Sequence, residues 1–275
     1  MREVAIVGVG QTPVGEHWAS SVRQLGTDAI VETLKDAGSI HPDALIVANA
    51  FGATFSSQSQ LGPLFAHYAG LGNIESWTVE AADASGGAAL RAGYLAVASG
   101  AMDSVLVLGV EKSSDSIAGA RTAARSVALD ADFEAVHGVT LTSQAAMLMR
   151  RYMYEYGVPI SAFEGFSINA HANGNKNPNA MFQNLLKPGS FAKASMVADP
   201  VNLFDGAPDS DGAAGILLVS ADSLRDTGMS RIIISRSAAA SDALALHDRG
   251  DALLLRAVHE SALKALGQAE VSLDQ

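Results

Sequence analysis

One short segment of the sequence combines an acidic side chain with a run of small residues. Asp83 is followed by Ala84, Ser85, Gly86 and Gly87, and a helical apolar pattern begins at Ser85. A side chain at residue 83 is therefore expected near a helix N-terminus, where backbone N–H groups and the helix dipole favour negative charge. This is the geometry of a nucleophile elbow, which exposes one reactive side chain beside backbone donors for an oxyanion. The alternative is that Asp83 is an N-cap, because Asp is among the preferred residues at that position.

The seven histidines do not have the spacing of a metal centre. Neither HxxxH nor HExxH occurs in the chain, so the sequence predicts no zinc site. His171 and Asn173 lie in a predicted helix and could face a ligand, although a lone histidine on an amphipathic helix more often has a structural role.

Three carboxylates near residue 210 also suggest metal binding at first sight. Asp205, Asp209 and Asp211 lie within one short loop. The segment lacks the later bidentate glutamate of a calcium loop. The sequence therefore predicts no metal ion here either.

Short apolar strands alternate with helices in the part of the chain that carries Asp83. The predicted strands are Val4–Val9, Ala44–Ala48, Trp77–Ala81 and Ser104–Val110, and the predicted helices are Ser21–Ala37 and Ser85–Ser99. Strands that are apolar on both faces and alternate with helices indicate a mostly parallel sheet covered on both sides. The predicted fold class is therefore α/β, with Asp83 in the turn between the third strand and its helix.

The pattern changes between residues 111 and 201. Two helical stretches, Thr142–Tyr156 and Ser161–Asn173, lie among polar loops, which is typical of an insertion carried on a sheet. The regular pattern then resumes with predicted strands at Asp211–Ala221 and Arg231–Ser235 and a predicted helix at Asp251–Leu266. The sequence thus predicts one α/β unit interrupted by an inserted domain.

Composition excludes several classes of function. The 275 residues include 18 Lys and Arg against 29 Asp and Glu, which gives a net charge of −11. So acidic a chain is poorly suited to phosphate backbones, and nucleic acid is not an expected partner. The absence of cysteine excludes disulfides, thiolate metal ligands and a cysteine nucleophile. No apolar run approaches the roughly 20 residues of a membrane span and no signal peptide is present, so we expect no membrane contact and a cytoplasmic location.

Eight segments, in order, resemble the thiolase superfamily, in particular its archaeal and sterol-carrier-protein-type branch. They are VAIVGVGQTPVG (4–15), EAADASGGAALRAGYLAVASG (80–100), VLGVEK (107–112), RRYMYEYG (150–157), NPNAMF (177–182), ADP (198–200), SDGAAGILL (210–218) and ASDALALHDR (240–249). The resemblance implies a five-layered fold of two similar βαβαβαββ halves, with a loop domain inserted in the first. It assigns residues 1–110 and 202–228 to the N-terminal half, residues 111–201 to the loop domain, and residues 229–275 to the start of a truncated C-terminal half.

The same resemblance implies partners and a substrate. It predicts a homodimer paired through the strand at Trp77–Ala81 and a small zinc-bearing OB-fold protein of the DUF35 type as a further partner. It implies a coenzyme A thioester as the substrate and no covalently bound cofactor. His137 falls where relatives have a loop over the acyl pocket, although an ordinary surface turn is an equally good interpretation. The residues then expected to contact substrate or coenzyme A are Ser85, Gly86, His137, Met147, His171 and Asn173.

Two departures from the family pattern bear on the reaction. Asp83 occupies the position that matches the acyl-accepting cysteine, and a carboxylate is a weak nucleophile whose acyl adduct hydrolyses readily. The sequence also stops before the positions that match the family's two histidine loops and its base cysteine. We therefore expect a thiolase-like acyl-CoA-binding subunit, related to acetyl-CoA acyltransferases, that cleaves or forms carbon–carbon bonds with a partner. The alternatives are a catalytically silent scaffold subunit and a truncated or variant acetyl-CoA acetyltransferase.

Overall fold

A six-stranded sheet with helices on both faces forms the centre of the protein. The computed structural model describes residues 1–224 and 232–274. The strands are β1 (Val4–Gln11), β2 (Ala44–Ala48), β3 (Glu75–Val79), β4 (Ser104–Glu111), β5 (Met196–Ala198), β6 (Val201–Asn202), β7 (Gly212–Ser220) and β8 (Ile232–Ile234). The helices are α1 (Val22–Asp36), α2 (Gly52–Phe55), α3 (Leu61–Tyr68), α4 (Ser85–Ser99), α5 (Ala118–Arg125), α6 (Leu141–Tyr156), α7 (Glu164–Gly174) and α8 (Arg256–Ala269). None of the helices in the described residues is long and apolar enough to cross a bilayer.

The sheet is mixed, in the order β3-β2-β4-β7-β1-β8, and β5 and β6 pair separately. β3, β2 and β4 pair in parallel, whereas β7 is antiparallel to both β4 and β1. β7 runs in the opposite direction to β4, so that Gly212, its first residue, pairs with Glu111 at the carboxyl end of β4. The predicted α/β fold class is confirmed. Four of the six strands share one direction, as predicted, but the antiparallel β7 and β8 make the pairing mixed.

Alternating side chains of the strands feed two apolar layers. In β4, Leu106 and Leu108 join Phe65 in the layer under α1 and α3, while Val105 belongs to the layer under α4. A Cβ on Gly26 of α1 would lie 2.2 Å from the Phe65 ring, so only glycine lets α1 and α3 approach this closely. Burial on both faces explains why these strands are continuous apolar runs.

The insertion between β4 and β7 is packed more loosely than the sheet. α5 has no buried residue, α6 buries only Ala146 and α7 buries only Ser167. The ends of α6 are nevertheless well defined, because Thr140 and Ser143 form a capping box and Gly157 closes the helix in the left-handed conformation. The insertion is thus ordered by local capping more than by burial.

Two predicted elements near the insertion and the sheet are shifted by a few residues. The strand predicted at Trp77–Ala81 is β3, which ends at Val79 because its register with β2 ends there. The helix predicted at Ser161–Asn173 is α7, which is preceded by a 3-10 turn at Ile160–Phe163. In both cases the element exists and a local turn displaces its boundary.

The part of the chain after β7 is described with one gap. Residues 225–231 lie outside the described residues, together with the predicted domain boundary there and the start of the strand predicted at Arg231–Ser235. β8 extends the same sheet by pairing with β1. The helix predicted from Asp251 begins only at Arg256, because the Asp251 carboxylate accepts a hydrogen bond from a backbone N–H two residues later and holds a turn. The three domain boundaries remain predictions.

Candidate active site

The turn between β3 and α4 is strained and exposes Asp83. A short 3-10 turn at Ala82–Ala84 leads into α4 at Ser85. Ala82 has a φ of 45°, a left-handed conformation that costs a residue with a Cβ of the order of 1 kcal/mol. The Glu80 carboxylate stabilises it by accepting a hydrogen bond of 2.5 Å from the Ala82 N–H. Strain of this kind is found at functional turns, where the surrounding structure enforces it.

Ser85 holds the turn from its buried side. The Ser85 hydroxyl accepts a hydrogen bond from the Ala81 N–H at 2.9 Å and donates one to the Ala82 carbonyl at 2.7 Å. Asp83 is not the N-cap of α4, since Ala84 occupies that position and no side chain caps the helix. The N-cap interpretation of Asp83 is therefore wrong. Its carboxylate is exposed at the tip of the turn and does not belong to the helix cap.

The N-terminus of α4 is open to approach from outside. Gly86 and Gly87 are exposed, and a Cβ on either would meet no other atom of the described residues within 4 Å. The N–H groups of Ala84 and Ser85 donate to the Ala81 and Ala82 carbonyls of the preceding 3-10 turn. Gly86 lies beside Asp83 at the positive end of the α4 dipole, which favours a carbonyl or anionic oxygen.

A half-buried carboxylate lies behind this turn. Glu111, the last residue of β4, accepts hydrogen bonds from the backbone N–H groups of Ala50 at 3.1 Å and Phe51 at 3.0 Å. The side-chain amide of Asn49 donates a third at 3.1 Å, and the Asn49 carbonyl lies 3.5 Å from the Ser85 hydroxyl. Burial raises the pKa of Glu111 above its ordinary value, and these hydrogen bonds only partly offset the rise. The carboxyl ends of β2 and β4 and the elbow are thus joined in one network.

A second carboxylate, which is buried, joins the start of β7 to the start of the insertion. Asp211 accepts a hydrogen bond of 2.5 Å from the Ser114 hydroxyl, and the N–H groups of Ser113, Ser114 and His17 donate three more. The buried Lys112 places its Nζ 3.2 Å from the same carboxylate. Burial alone would raise the pKa of Asp211, but the hydrogen bonds outweigh it and lower the pKa to about 2. Asp211 is therefore a structural anion.

The other carboxylates of this acidic segment also bind groups of the chain itself. Asp205 accepts a hydrogen bond of 2.8 Å from the Asn202 N–H, and Asp209 pairs with Arg121 and Arg125 of α5. Within residues 1–224 and 232–274, no group of three or more His, Asp and Glu side chains is placed to hold a metal ion. The acidic segment therefore links the insertion to β7 through ion pairs and hydrogen bonds.

Sequence reasoning assigned no role to Asn49, Glu111 or Lys112. The signal was present in VLGVEK, where two charged residues directly follow a strand that is apolar on both faces. Charged residues are almost never buried unless they are paired or hydrogen-bonded. Their position therefore predicts partners at the end of the strand, but nothing local identifies those partners.

An apolar groove of about 600 Å³ lies within the insertion. It is bounded by α6, by α7 with its preceding turn, and by the loop after β6; its apolar lining includes Leu141, Ala145, Met149, Phe163, Phe166 and Phe204. The loop after β6 leads into β7, whose first residue pairs with the last residue of β4. The insertion that holds the groove therefore leaves and rejoins the sheet at the same end as Asp83, and ligands of α/β sheets bind at the carboxyl ends of the strands.

Met147 and Met149 lie on different sides of α6. Met149 lines the groove, whereas Met147 is 50% exposed and is not among the lining residues. Residues two positions apart on a helix do not share a face, so only one of the two can contribute to the groove. The structure favours Met149 over the predicted Met147 as a ligand contact.

The other predicted residues of the insertion differ in their surroundings. The ring of His171 contacts that of Phe204, which lines the groove, and its Nδ1 lies 3.0 Å from the Asn184 carbonyl. His137 and Asn173 are exposed on the surface of the insertion. The structure therefore brings Ser85 and Gly86 to Asp83 and His171 to the back of the groove wall, while ligand contacts of His137 and Asn173 remain predictions.

Comparison with known proteins gives this architecture a family. The family model described as "Thiolase, N-terminal domain" matches residues 4–199. The chain belongs to the thiolase family. This thiolase-family chain is 41% identical over 274 residues to an acetyl-CoA acetyltransferase of Methanothermobacter thermautotrophicus, which covers 99% of the chain and 71% of the relative. An acetyl-CoA acetyltransferase of Methanocaldococcus jannaschii is 40% identical over 275 residues, with coverage of 98% and 70%.

A solved structure shows the same fold. The "Ltp2-ChsH2(DUF35) aldolase" superposes with a TM-score of 0.82 at 20% identity, over 98% of this chain and 70% of that chain. The thiolase-like fold expected from the sequence segments is confirmed, as is the relationship to acetyl-CoA acetyltransferases.

Proposed function

We propose that this thiolase-family chain binds acyl-CoA thioesters and acts on them without a cysteine-linked acyl-enzyme. The observation that carries the proposal is the exposed Asp83 carboxylate on a strained turn, at the end of the sheet where the insertion that holds the apolar groove leaves and rejoins it. These 275 residues contain no cysteine, so an acyl relay through a thiolate of their own is excluded.

Asp83 and the N-terminus of α4 supply complementary chemistry. The positive end of the α4 dipole can polarise a thioester carbonyl, as an oxyanion hole does. A carboxylate is a poor acyl acceptor but an effective proton acceptor or donor. Asp83 then acts as an acid–base or oxyanion-turn residue in carbon–carbon bond cleavage or formation.

The groove suits the elongated, non-nucleotide part of an acyl-CoA. Its volume of about 600 Å³ is in the range of small-molecule sites, which are mostly apolar with a few polar groups. Met149 and Phe163 offer adaptable apolar contacts, and Thr142 and Asp205 place polar groups in the lining. An acyl chain and the pantetheine arm match this character.

Two partners complete the proposed site. A zinc-bearing OB-fold protein of the DUF35 type is supported by the fold neighbour, whose name includes a DUF35 component. A second copy of this chain is supported by β3, which pairs within the described sheet only with β2 and so leaves one row of backbone groups for another strand.

Calorimetry with acetyl-CoA and with a longer acyl-CoA tests the binding step. Ala145→Trp fills the groove, and we expect it to weaken binding at least ten-fold, because the ligand and the indole need the same space. Met147→Trp on the same helix is the matched control and should bind as the wild type does. Absence of binding by the wild type, or equal affinities in both variants, would contradict the proposal.

Mass spectrometry after incubation with acetyl-CoA tests the role of Asp83. The wild type should carry no acetyl adduct, whereas Asp83→Cys should gain one, because a helix N-terminus lowers the pKa of a thiol and activates it. An acyl group trapped on Asp83 itself would overturn the proposal. Acyl-CoA binding without turnover, even with a purified DUF35-type protein added, would favour the silent scaffold.

A further inference from the structure

Residues 237–248, here called the strap, follow β8 and connect α4 to the insertion. At one end, the Arg91 guanidinium of α4 donates a hydrogen bond to the Ser237 carbonyl. At the other end, the Leu246 N–H donates one of 2.7 Å to the carboxylate of Glu134. The strap therefore spans from the helix that begins at the Asp83 turn to the part of the insertion that carries His137.

Glu134 is an unusual carboxylate for an otherwise exposed region. It is 5% exposed, and its oxygens accept hydrogen bonds from the Asp130 N–H at 3.1 Å and the Gln144 side-chain amide at 2.8 Å, besides that from Leu246. Its hydrogen-bond partners among the described residues are neutral donors, two of them backbone amides. Burying a carboxylate is costly unless its hydrogen bonds are made, so the strap amide is one of three donors that justify its burial.

The same residue shapes the turn that carries His137. The backbone carbonyl of Glu134 accepts hydrogen bonds from the N–H groups of His137 at 3.1 Å and Val139 at 3.3 Å. Its carboxylate also accepts a hydrogen bond from Gln144 in the first turns of α6, and neighbouring residues of those turns line the groove. Glu134 thus joins the strap, the His137 turn and α6 at one point.

Apolar contacts support the docking next to this point. Ala245 of the strap is 2% exposed, and the rings of Phe133 and His247 meet edge to face at 5.2 Å. Ala245 and His247 flank Leu246, and Phe133 precedes Glu134, so the ring contact lies next to the hydrogen bond between Leu246 and Glu134.

We infer that Glu134 is a positioning residue that docks the strap against the insertion and, through Gln144, fixes the first turns of α6, which line the groove. The docking follows from the contacts above, and its effect on ligand binding rests on the proposed acyl-CoA function. Glu134 does not itself touch the reacting atoms. Its removal should loosen the strap first and weaken acyl-CoA binding as a consequence.

Amide hydrogen exchange of the ligand-free protein tests the docking. Glu134→Leu removes both acceptor oxygens at similar volume, and we expect exchange of residues 243–248 to rise about ten-fold or more, since the Leu246 N–H loses its hydrogen bond to a charged group. Glu134→Gln keeps one acceptor oxygen and should give a smaller rise. Asp132→Asn, an exposed carboxylate on the same loop, is the control and should exchange as the wild type does.

Exchange of β4 in the same samples reports whether the variants remain folded. Unchanged exchange of residues 243–248 in both Glu134 variants would overturn the inference. Calorimetry with acetyl-CoA then tests the functional half: we expect affinity to fall in the order wild type, Glu134→Gln, Glu134→Leu. A loosened strap with unchanged affinity would show that the docking at Glu134 does not shape the groove. If the wild type does not bind acyl-CoA, the proposed function fails, and the exchange result still decides the docking.

Discussion

The central sheet is packed on both faces, whereas the insertion between β4 and β7 leaves most of its helical surface exposed. Every residue of β2 is buried, but α7 buries only Ser167. Asp83 belongs to the sheet side, at the end of β3, and the apolar groove belongs to the insertion. In the proposed function, the well-packed sheet would hold Asp83 in place and the more exposed insertion would provide an adaptable ligand surface.

Three carboxylates with several hydrogen-bond donors join segments that are distant in sequence. Glu111 joins the ends of β4 and β2, Asp211 joins the start of β7 to the start of the insertion, and Glu134 joins the insertion to the strap. Hydrogen bonds have strict geometry, so each of these joints fixes the relative position of the two segments that it connects.

Truncation of a core side chain should give the largest difference in unfolding free energy between the sheet and the insertion. Phe65→Ala, at a residue that is 0% exposed between α1 and α3, should lower the free energy of unfolding by about 3 to 5 kcal/mol because it leaves a cavity. Phe166→Ala, at a residue of the insertion that is 75% exposed, should change it by less than about 0.5 kcal/mol. Urea unfolding measures both. Similar losses would mean that the insertion contributes to the core.

The joint at Asp211 should show a smaller effect with a characteristic pH dependence. Asp211→Asn leaves Lys112 without its buried partner and should cost about 2 to 3 kcal/mol at neutral pH. The pKa of Asp211 is lowered from 3.8 to about 2, so its stabilisation is present above pH 3.8 and is lost as the pH falls toward 2. Chemical unfolding between pH 2 and 7 measures this.

Asp199→Asn is the matched control for that measurement. Asp199 pairs with Arg150 in the insertion, and both side chains are more than half exposed. An exposed ion pair contributes at most about 1 kcal/mol. If Asp199→Asn destabilised the protein as much as Asp211→Asn, burial would not be the property that distinguishes the joint.

Truncation in the groove should affect ligand binding and leave stability nearly unchanged. Met149→Ala should weaken acyl-CoA binding about five- to ten-fold, since it removes roughly 1 kcal/mol of apolar contact with the ligand. Met147→Ala, on the exposed side of α6, should bind as the wild type does. The ratio of the two dissociation constants from calorimetry reports whether the groove is the binding surface. A ratio near one would show that the groove of the insertion does not contact the ligand.

Glu111 should give the smallest effect, with the sign opposite to that of Asp211. Burial raises its pKa in the folded state above 4.5, so its favourable contribution is greatest below pH 4.5 and declines as the pH rises through the raised value. The difference in unfolding free energy between the wild type and Glu111→Gln should therefore shift against the wild type across that range. A shift in its favour would show that the hydrogen bonds at Asn49 and Phe51 outweigh burial.

The elements around the candidate site are largely predictable from the sequence. β2 and α4 have the predicted bounds, Ala44–Ala48 and Ser85–Ser99, because an apolar run and a helix ended by Gly100 are local signals. The N-cap interpretation of Asp83 was wrong because the left-handed Ala82 places the chain so that Ala84 precedes the helix. No local sequence pattern predicts an alanine in the left-handed conformation, because only the surrounding contacts enforce it.

The sequence by itself determined the absence of a thiolate, the strands of the six-stranded sheet, five of the described helices but not α2, α3 or α5, the turn at Asp83 and the family resemblance. Only the tertiary structure decided that β7 inserts antiparallel between β4 and β1, that Met149 faces the groove, and that Glu134 meets Leu246, which lies 112 residues away. Hydrophobic periodicity reports how each segment is buried. It does not report which distant backbone amide will donate a hydrogen bond to a buried carboxylate, because that depends on how the tertiary structure arranges the segments in space.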